Sequence, residues 1–368
     1  MNITSKLVRE ITRIWRQAVW LFTVALPYNF IWWLKKLTGS TDGTVLYVGL
    51  PMHYAMFARI HRLLPDVRLV AADDQAASAL RKLGVAHTQN LLYPDTVIMA
   101  DYYHKSYPVA AIKKVQIFHG TGCKNWFCGR NNRNYLCLVP GSQLGERLAE
   151  LGARAIEIVG YPKTDGFFDG SLDAPAIGRR LGLDPGKRTI LYAPTWGEAS
   201  SAPFLTDAVD ALAADYNIIV KLHDLSPTQW REKYRSLSAV LFNEDADITE
   251  CLFVADLLIS DFSSTIFEFA QLHRPIISFG MSDELLATKA IDPAWWAITR
   301  RVSDKAELAP AVAQMLTDWS ADKNYKELVK SIFAHDDGRA AERAADAIRA
   351  WAEESGVKVW MRLSLPRV

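Results

Sequence analysis

Two sets of short apolar runs, each alternating with amphipathic stretches, constrain this chain more than any other feature. The first set is TVLYVGL (44–50), VRLVAAD (67–73), TVIMAD (96–101), KVQIFHG (114–120) and YLCLVPG (135–141). Helical patterns HYAMFARIHRLL (53–64) and QAASALRKLG (75–84) lie between them, the second stopped by a glycine. The second set is RTILYAPTW (188–196), YNIIVKLH (216–223), AVLFNE (239–244), DLLISDF (256–262) and RPIISF (274–279). A strand that is apolar throughout must be covered on both faces, and alternating helices supply the cover, so each set predicts a parallel sheet. The expected fold class is therefore α/β, with two doubly wound domains facing a crevice. The Gly-, Pro- and Asp-rich stretch VGYPKTDGFFDGSLDAP (159–175) reads as the region between them. This divides the chain into 1–39, 40–160, 161–320 and a helical, Ala-rich end at 321–368.

A length of 368 residues allows two domains, each with its own core. The formal net charge is +1, so no overall field attracts nucleic acid and none is expected as a partner; any preference for anions must be local. Cys123, Cys128, Cys137 and Cys251 lack the paired close spacing of a zinc site and read as reduced thiols. No Gly-x-Gly-x-x-Gly follows a strand and no P-loop occurs, so the usual signatures of dinucleotide binding and ATP hydrolysis are missing. Asp245 and Asp247 form an Asp-x-Asp without a second cluster, which reads as a solvated loop, and no metal site is assigned.

The amino-terminal segment 1–39 has a different character. Gln17 to Leu34 carries no charge, and Lys6, Arg9, Arg13 and Arg16 precede it, with Lys35 and Lys36 after. Its 18 residues stand at the lower edge of what crosses a bilayer, and Pro27 and Asn29 interrupt them. A crossing helix would keep its N-terminus in the cytoplasm and export the large domain. A basic, aromatic segment lying in the headgroup layer fits better, with Trp15, Trp20, Trp32 and Trp33 as anchors. The expected location is the cytoplasmic face of the cell membrane, peripheral or monotopic. The alternative is a helical hairpin packed on the globule.

In doubly wound domains the ligand crevice lies beyond the carboxyl ends of the strands. Polar chemistry stands at four such ends. In SDFSSTIFEF, Ser263, Ser264 and Thr265 sit where a helix begins, where unpaired N–H groups and hydroxyls can grip a phosphate together. One of these serines capping the helix, with Glu268 paired into its first turn, is the simpler alternative. Asp261 holds the turn or a substrate hydroxyl. His119, followed by Gly120 and Thr121, is a candidate general base or a structural histidine, and Lys124 nearby suits a phosphate or the solvent. Lys221 and His223 share one face of their strand and would complement a diphosphate, unless Lys221 serves a local salt bridge. Thr195 ends another strand, and Trp196 beside it is a base-stacking surface or core. His53, close behind the first strand, is expected at the crevice.

FHGTGCK, GYPKTDGFF, LYAPTW, VKLH and ADLLISDFSSTIFEFAQLHRPIISF together resemble the CDP-glycerol glycerophosphotransferase family of teichoic acid primases and polymerases, over roughly residues 44 to 320. The resemblance implies a GT-B-type fold of two Rossmann-like domains, an acceptor domain at 40–160 and a CDP-donor domain at 161–320. It implies membrane association through basic, apolar segments, which agrees with the reading of the first 39 residues. It also implies transfer of glycerol phosphate, or another polyol phosphate, from a CDP-activated donor to an acceptor hydroxyl on a membrane-linked glycan or lipid, with release of CMP. By that likeness His119 is the general base and His223 stabilises the donor pyrophosphate or the leaving phosphate. Gly120, Thr121, Lys124, Thr195, Lys221, Asp261, Ser263, Ser264, Thr265 and Glu268 are the expected substrate-binding set. The CDP-polyol is a substrate, and no cofactor is assigned. Asp224 stands where the family usually has Pro, and Gly122 and Cys123 replace Pro-Leu before Lys124. A nucleotide-sugar glycosyltransferase of the same architecture, which would release UDP or GDP, is the second reading. A non-enzymatic membrane-bound scaffold is the third.

Overall fold

The computed structural model describes residues 3–100, 106–118, 135–245, 247–280 and 297–353. His119, Gly120, Thr121, Lys124, Cys123 and Cys128 lie outside the described residues. The first sheet contains β1 (Thr44–Val48), β2 (Arg68–Ala71), β3 (Thr96–Met99), β4 (Lys113–Ile117), β5 (Tyr135–Val139) and β6 (Ala155–Ile158), in spatial order β2-β1-β3-β4-β5-β6. The second contains β7 (Thr189–Tyr192), β8 (Asn217–Val220), β9 (Leu241–Phe242), β10 (Leu257–Ser260), β11 (Ile276–Phe279) and β12 (Arg300–Val302), in order β12-β11-β10-β7-β8-β9. Every strand pairing in both sheets is parallel, as the uninterrupted apolar runs require.

The strand order reverses between β1 and β3 in one lobe and between β7 and β10 in the other, which fixes where each crevice opens. One buried apolar cluster runs from Leu46 and Phe57 in the first lobe to Leu191, Ile219 and Leu258 in the second. The lobes therefore share a core. The segment expected as a linker is itself packed: Pro162, Thr164, Asp165 and Phe167 are buried in a tight 3-10 turn, Pro162–Phe167, and Tyr161 just before it is buried too. The carboxyl-terminal helices return to the first lobe, with Lys323–Ile332 against the helix Ser142–Glu150 and Ala340–Glu353 against the helix His53–Leu63.

At the amino terminus the chain is helical from Ile3 to Leu37, neither broken nor folded into a hairpin. A π-helical turn, Leu21–Ala25, precedes Pro27; such a turn accommodates the proline's missing N–H and its ring without ending the helix. Asn29 donates to the carbonyls of Ala25 and Pro108 at 2.8 and 3.0 Å and so docks the helix rather than interrupting it. Tyr28 and Trp32 are buried in the first lobe, bonded to Leu92 O at 2.6 Å and Pro94 O at 2.7 Å. Trp32 is thus a core residue, 2% exposed, and not the interfacial anchor expected of it. No described helix is long and apolar enough to cross a membrane.

Candidate active site

The carboxyl ends of β7, β8 and β10 converge at the switch point of the second lobe. Asp261, the first residue beyond β10, is 1% exposed and accepts from Thr195 N at 2.6 Å, Ser201 N at 2.7 Å and Ser201 Oγ at 2.8 Å. It therefore ties the loop after β7 to the loop after β10. Burial pushes its carboxyl up to about 6, against the opposing pull of the Ser201, Thr195 and Phe262 donors. Of the two roles expected for Asp261, the structure shows it holding the turn.

The hydroxyl turn beyond Asp261 is partly exposed. Ser263 Oγ donates to Thr265 Oγ1 at 3.0 Å and accepts from Thr265 N at 3.3 Å, so these two residues close a local turn. Ser264 stands at the helix start and makes no side-chain capping bond. The helix that follows, Thr265–Ala270, has only six residues, which leaves it little macrodipole. The anion-binding capacity of this turn thus rests on its hydroxyls more than on the helix end.

His223 follows β8, half-buried, with its ring centroid 5.9 Å from that of Trp196 at 37°. Leu225 N donates to His223 Nδ1 at 3.1 Å, and since a backbone N–H can only donate, the neutral ring carries its proton on Nε2. His223 is thereby set as a donor at Nε2. Trp196 is 49% exposed, which excludes the core reading of that residue. Lys221 is buried and donates to Leu222 O at 3.0 Å and to Asp224 Oδ1 at 3.2 Å. Its ammonium is held by the local salt bridge that was the alternative to diphosphate binding. Asp224, the departure from the family pattern, supplies that bridge.

Glu268 differs from its expected place in a substrate-binding set. It is 3% exposed, and its two oxygens accept from Tyr161 Oη at 3.2 Å and Lys163 Nζ at 2.6 Å. Burial favours the neutral amine of Lys163, but the carboxylates of Glu268, Asp247 and Asp224 outweigh it and raise the group above its ordinary value. Removing one partner of such a pair costs about 3–5 kcal/mol, because the other charge stays buried. Lys163, Tyr161 and Ser201 were missed at the sequence level. Lys163 and Tyr161 lie inside the quoted GYPKTDGFF motif, which offered a signal, whereas nothing in the sequence marks Ser201.

His53 is also corrected: it is 0% exposed at the head of its helix and does not line the crevice. Asp245 is bonded to Asn243, and Asp247 accepts from Thr249 N and Oγ1 at 2.9 and 2.6 Å, so both serve their own loop. Among the described residues no group of three or more His, Cys, Asp or Glu side chains gathers as a metal site.

The sequence profile of the CDP-glycerol:poly(glycerophosphate) glycerophosphotransferase family matches residues 145–350. The chain is 27% identical over 298 residues to a teichoic acid poly(ribitol-phosphate) polymerase of Bacillus spizizenii, an alignment covering 71% of this chain and 47% of the relative. It is 32% identical over 125 residues to a teichoic acid glycerol-phosphate primase of the same organism, covering 33% of this chain and 32% of the relative. The match thus spans about half the length of the first relative and less of the second. A solved structure of the wall teichoic acid polymerase TagF superposes with a TM-score of 0.66 at 14% identity, covering 94% of this chain and 98% of that one. The UDP-GlcNAc 2-epimerase of Neisseria meningitidis, bound to UDP-GlcNAc, superposes at 0.55 with 11% identity, covering 84% and 100%. These superpositions show that the fold is GT-B-like.

Proposed function

Because this chain belongs to the CDP-glycerol:poly(glycerophosphate) glycerophosphotransferase family, we propose that it moves glycerol phosphate, or another polyol phosphate, from a CDP-activated donor to an acceptor hydroxyl, releasing CMP. The observation that carries this reading is the second lobe's switch point, where Asp261 fixes two loops and the Ser263–Thr265 hydroxyls stand beyond β10. The reaction is an in-line displacement at phosphorus, governed by positioning and charge stabilisation. Ser264 and its neighbours bind the diphosphate, and His223 donates from Nε2 to a phosphoryl oxygen. His119 serves as general base on the acceptor hydroxyl, with Gly120, Thr121 and Lys124 on the acceptor side. Loss of a general base costs about 10²–10⁴-fold in turnover. His119→Ala is therefore expected to lose CMP release from CDP-glycerol by that factor while CMP binding stays within twofold. Full turnover in that variant would refute its role, and release of UDP from a UDP-sugar would favour the glycosyltransferase reading.

The acceptor in this reading is a membrane-linked glycan or lipid of the cell envelope, met at the cytoplasmic face of the membrane. Support comes from the amino-terminal helix, where Val8, Ile11, Trp15, Val19, Phe22, Leu26, Phe30, Leu34 and Leu37 are all exposed. Their spacing of three and four residues makes one continuous apolar stripe, and Arg9, Arg13 and Arg16 lie on the same helix. Deleting the whole segment would also strip Tyr28 and Trp32 from the core, so substitution is the cleaner test. Trp15→Asp with Phe22→Asp is expected to abolish flotation with anionic vesicles and leave the melting temperature unchanged. Undiminished flotation would sink the anchor.

A further inference from the structure

The five residues from Tyr161 to Asp165 grip both lobes at once. Towards the second lobe, Tyr161 and Lys163 both bond Glu268, and Thr164 Oγ1 donates to Gln271 Oε1 at 3.0 Å. Glu268 lies in the short helix directly beyond the Ser263–Thr265 turn, and Gln271 ends that helix. Towards the first lobe, Asp165 accepts from Ala340 N at 2.9 Å and Ala341 N at 2.8 Å, so it caps the helix Ala340–Glu353. That helix packs on His53–Leu63, where Arg349 donates to Leu63 O at 2.6 Å. A glycine-rich stretch of this composition would ordinarily be a loose hinge. Here Pro162 fixes one backbone angle, Thr164 and Asp165 are buried, and the lysine's charge is held by a carboxylate at 2.6 Å.

We propose that Tyr161–Asp165 is a rigid joint that sets the Ser263–Thr265 turn at a fixed position relative to the first lobe, with Lys163 as its positioning residue. The proposal rests on the transferase reading for its catalytic consequence but not for its mechanics. A buried ion pair is directional and has one satisfied arrangement, so it specifies a register between the elements it joins. Asp247 and Asp224 add their charge to the same ammonium, which keeps it protonated in that register. Lys163 thereby acts on transfer through Glu268, by holding the donor phosphate where the acceptor hydroxyl of the facing lobe can reach it.

The test compares the full chain with Lys163→Met, Lys163→Arg and the double variant Lys163→Met/Glu268→Leu, which removes both charges of the pair and so strands neither. Spin labels at Arg81→Cys and Lys233→Cys, both exposed and one in each lobe, report the interlobe distance after Cys123 and Cys128 are replaced by serine. The expected result for the methionine and double variants is a broadened distance distribution and at least a tenfold loss of kcat, with CMP affinity within threefold of the parent. Lys163→Arg restores both the narrow distribution and the rate. An unchanged distance distribution in the double variant overturns the joint, and a loss of CMP affinity in step with kcat overturns it in favour of direct donor contact. A parent protein that neither binds CMP nor turns over a CDP-polyol defeats the transferase reading instead, while the label distances still decide the joint.

Discussion

Both lobes are all-parallel six-stranded sheets, with different strand orders, and they fill their switch points differently. Beyond β7 and β10 stand Thr195 and Ser201, joined by short hydrogen bonds to the one buried carboxylate of Asp261, and beside them the Ser263–Thr265 hydroxyls. Beyond β1 and β3 stand Gly49, Leu50 and Ala100, with His53 wholly buried behind them. Topology offers a crevice at each reversal of strand order, and side-chain chemistry decides which is used. In the first lobe the candidate base, His119, comes after β4 in the sequence, and β4 is the strand paired with β3.

Asp261→Ala would break this contrast most severely. It strands one buried backbone donor, Ser201 N, and one partly buried donor, Thr195 N, and a buried orphan costs about 1–3 kcal/mol. We expect a loss of roughly 3 kcal/mol in urea unfolding and no measurable CMP binding. Full stability in this variant would mean that the tie is dispensable.

The acidity of Asp261 sharpens the same point. Its folded value of about 6 lies above the ordinary 3.8, so the folded state holds the proton more tightly than the unfolded chain. That contribution to stability is fully present below pH 4 and is lost as pH rises through 6, in total roughly 3 kcal/mol for a shift of about two units. The difference in unfolding free energy between parent and Asp261→Ala should accordingly shrink across that window, and a flat difference would contradict the burial argument. At the other lobe's switch, Leu50→Asn should change CMP affinity by less than twofold. A larger loss would show that both crevices serve the nucleotide.

The sheets were legible because ten of the twelve strands fall within short apolar runs, most of them buried along their length. The two that escaped, β6 and β12, are edge strands: Glu157 and Ile158 in AIEI are exposed, and RRV is polar at two of its three positions. The other two edge strands, β2 and β9, did carry apolar runs, so it is the polar composition of β6 and β12 and not the edge position that hid them. Strand ends were legible too, since Thr195, His223, Asp261 and Ser263–Thr265 stand within five residues of the ends of β7, β8 and β10. What a strand-end argument does not supply is which polar group bonds which. Glu268 looked available to a ligand until Lys163, over a hundred positions earlier in the chain, proved to be its partner. Lys221 looked free to meet a phosphate, yet Asp224 three residues on holds it. The buried crossover at 161–167 misread for a related reason: its Gly and Pro content is that of a linker, and its burial comes from both lobes at once.

The claim on which the rest depends is that the hydroxyl turn beyond β10 holds the donor's phosphates. Calorimetric titration of the full chain with CMP and with CDP-glycerol, before and after Ser263→Ala/Ser264→Ala, tests it directly. Hydrogen bonds to a charged group contribute about 1.5–3 kcal/mol each, so the dissociation constants should rise at least tenfold while the fold is unchanged. Equal affinities before and after the double substitution would contradict the account.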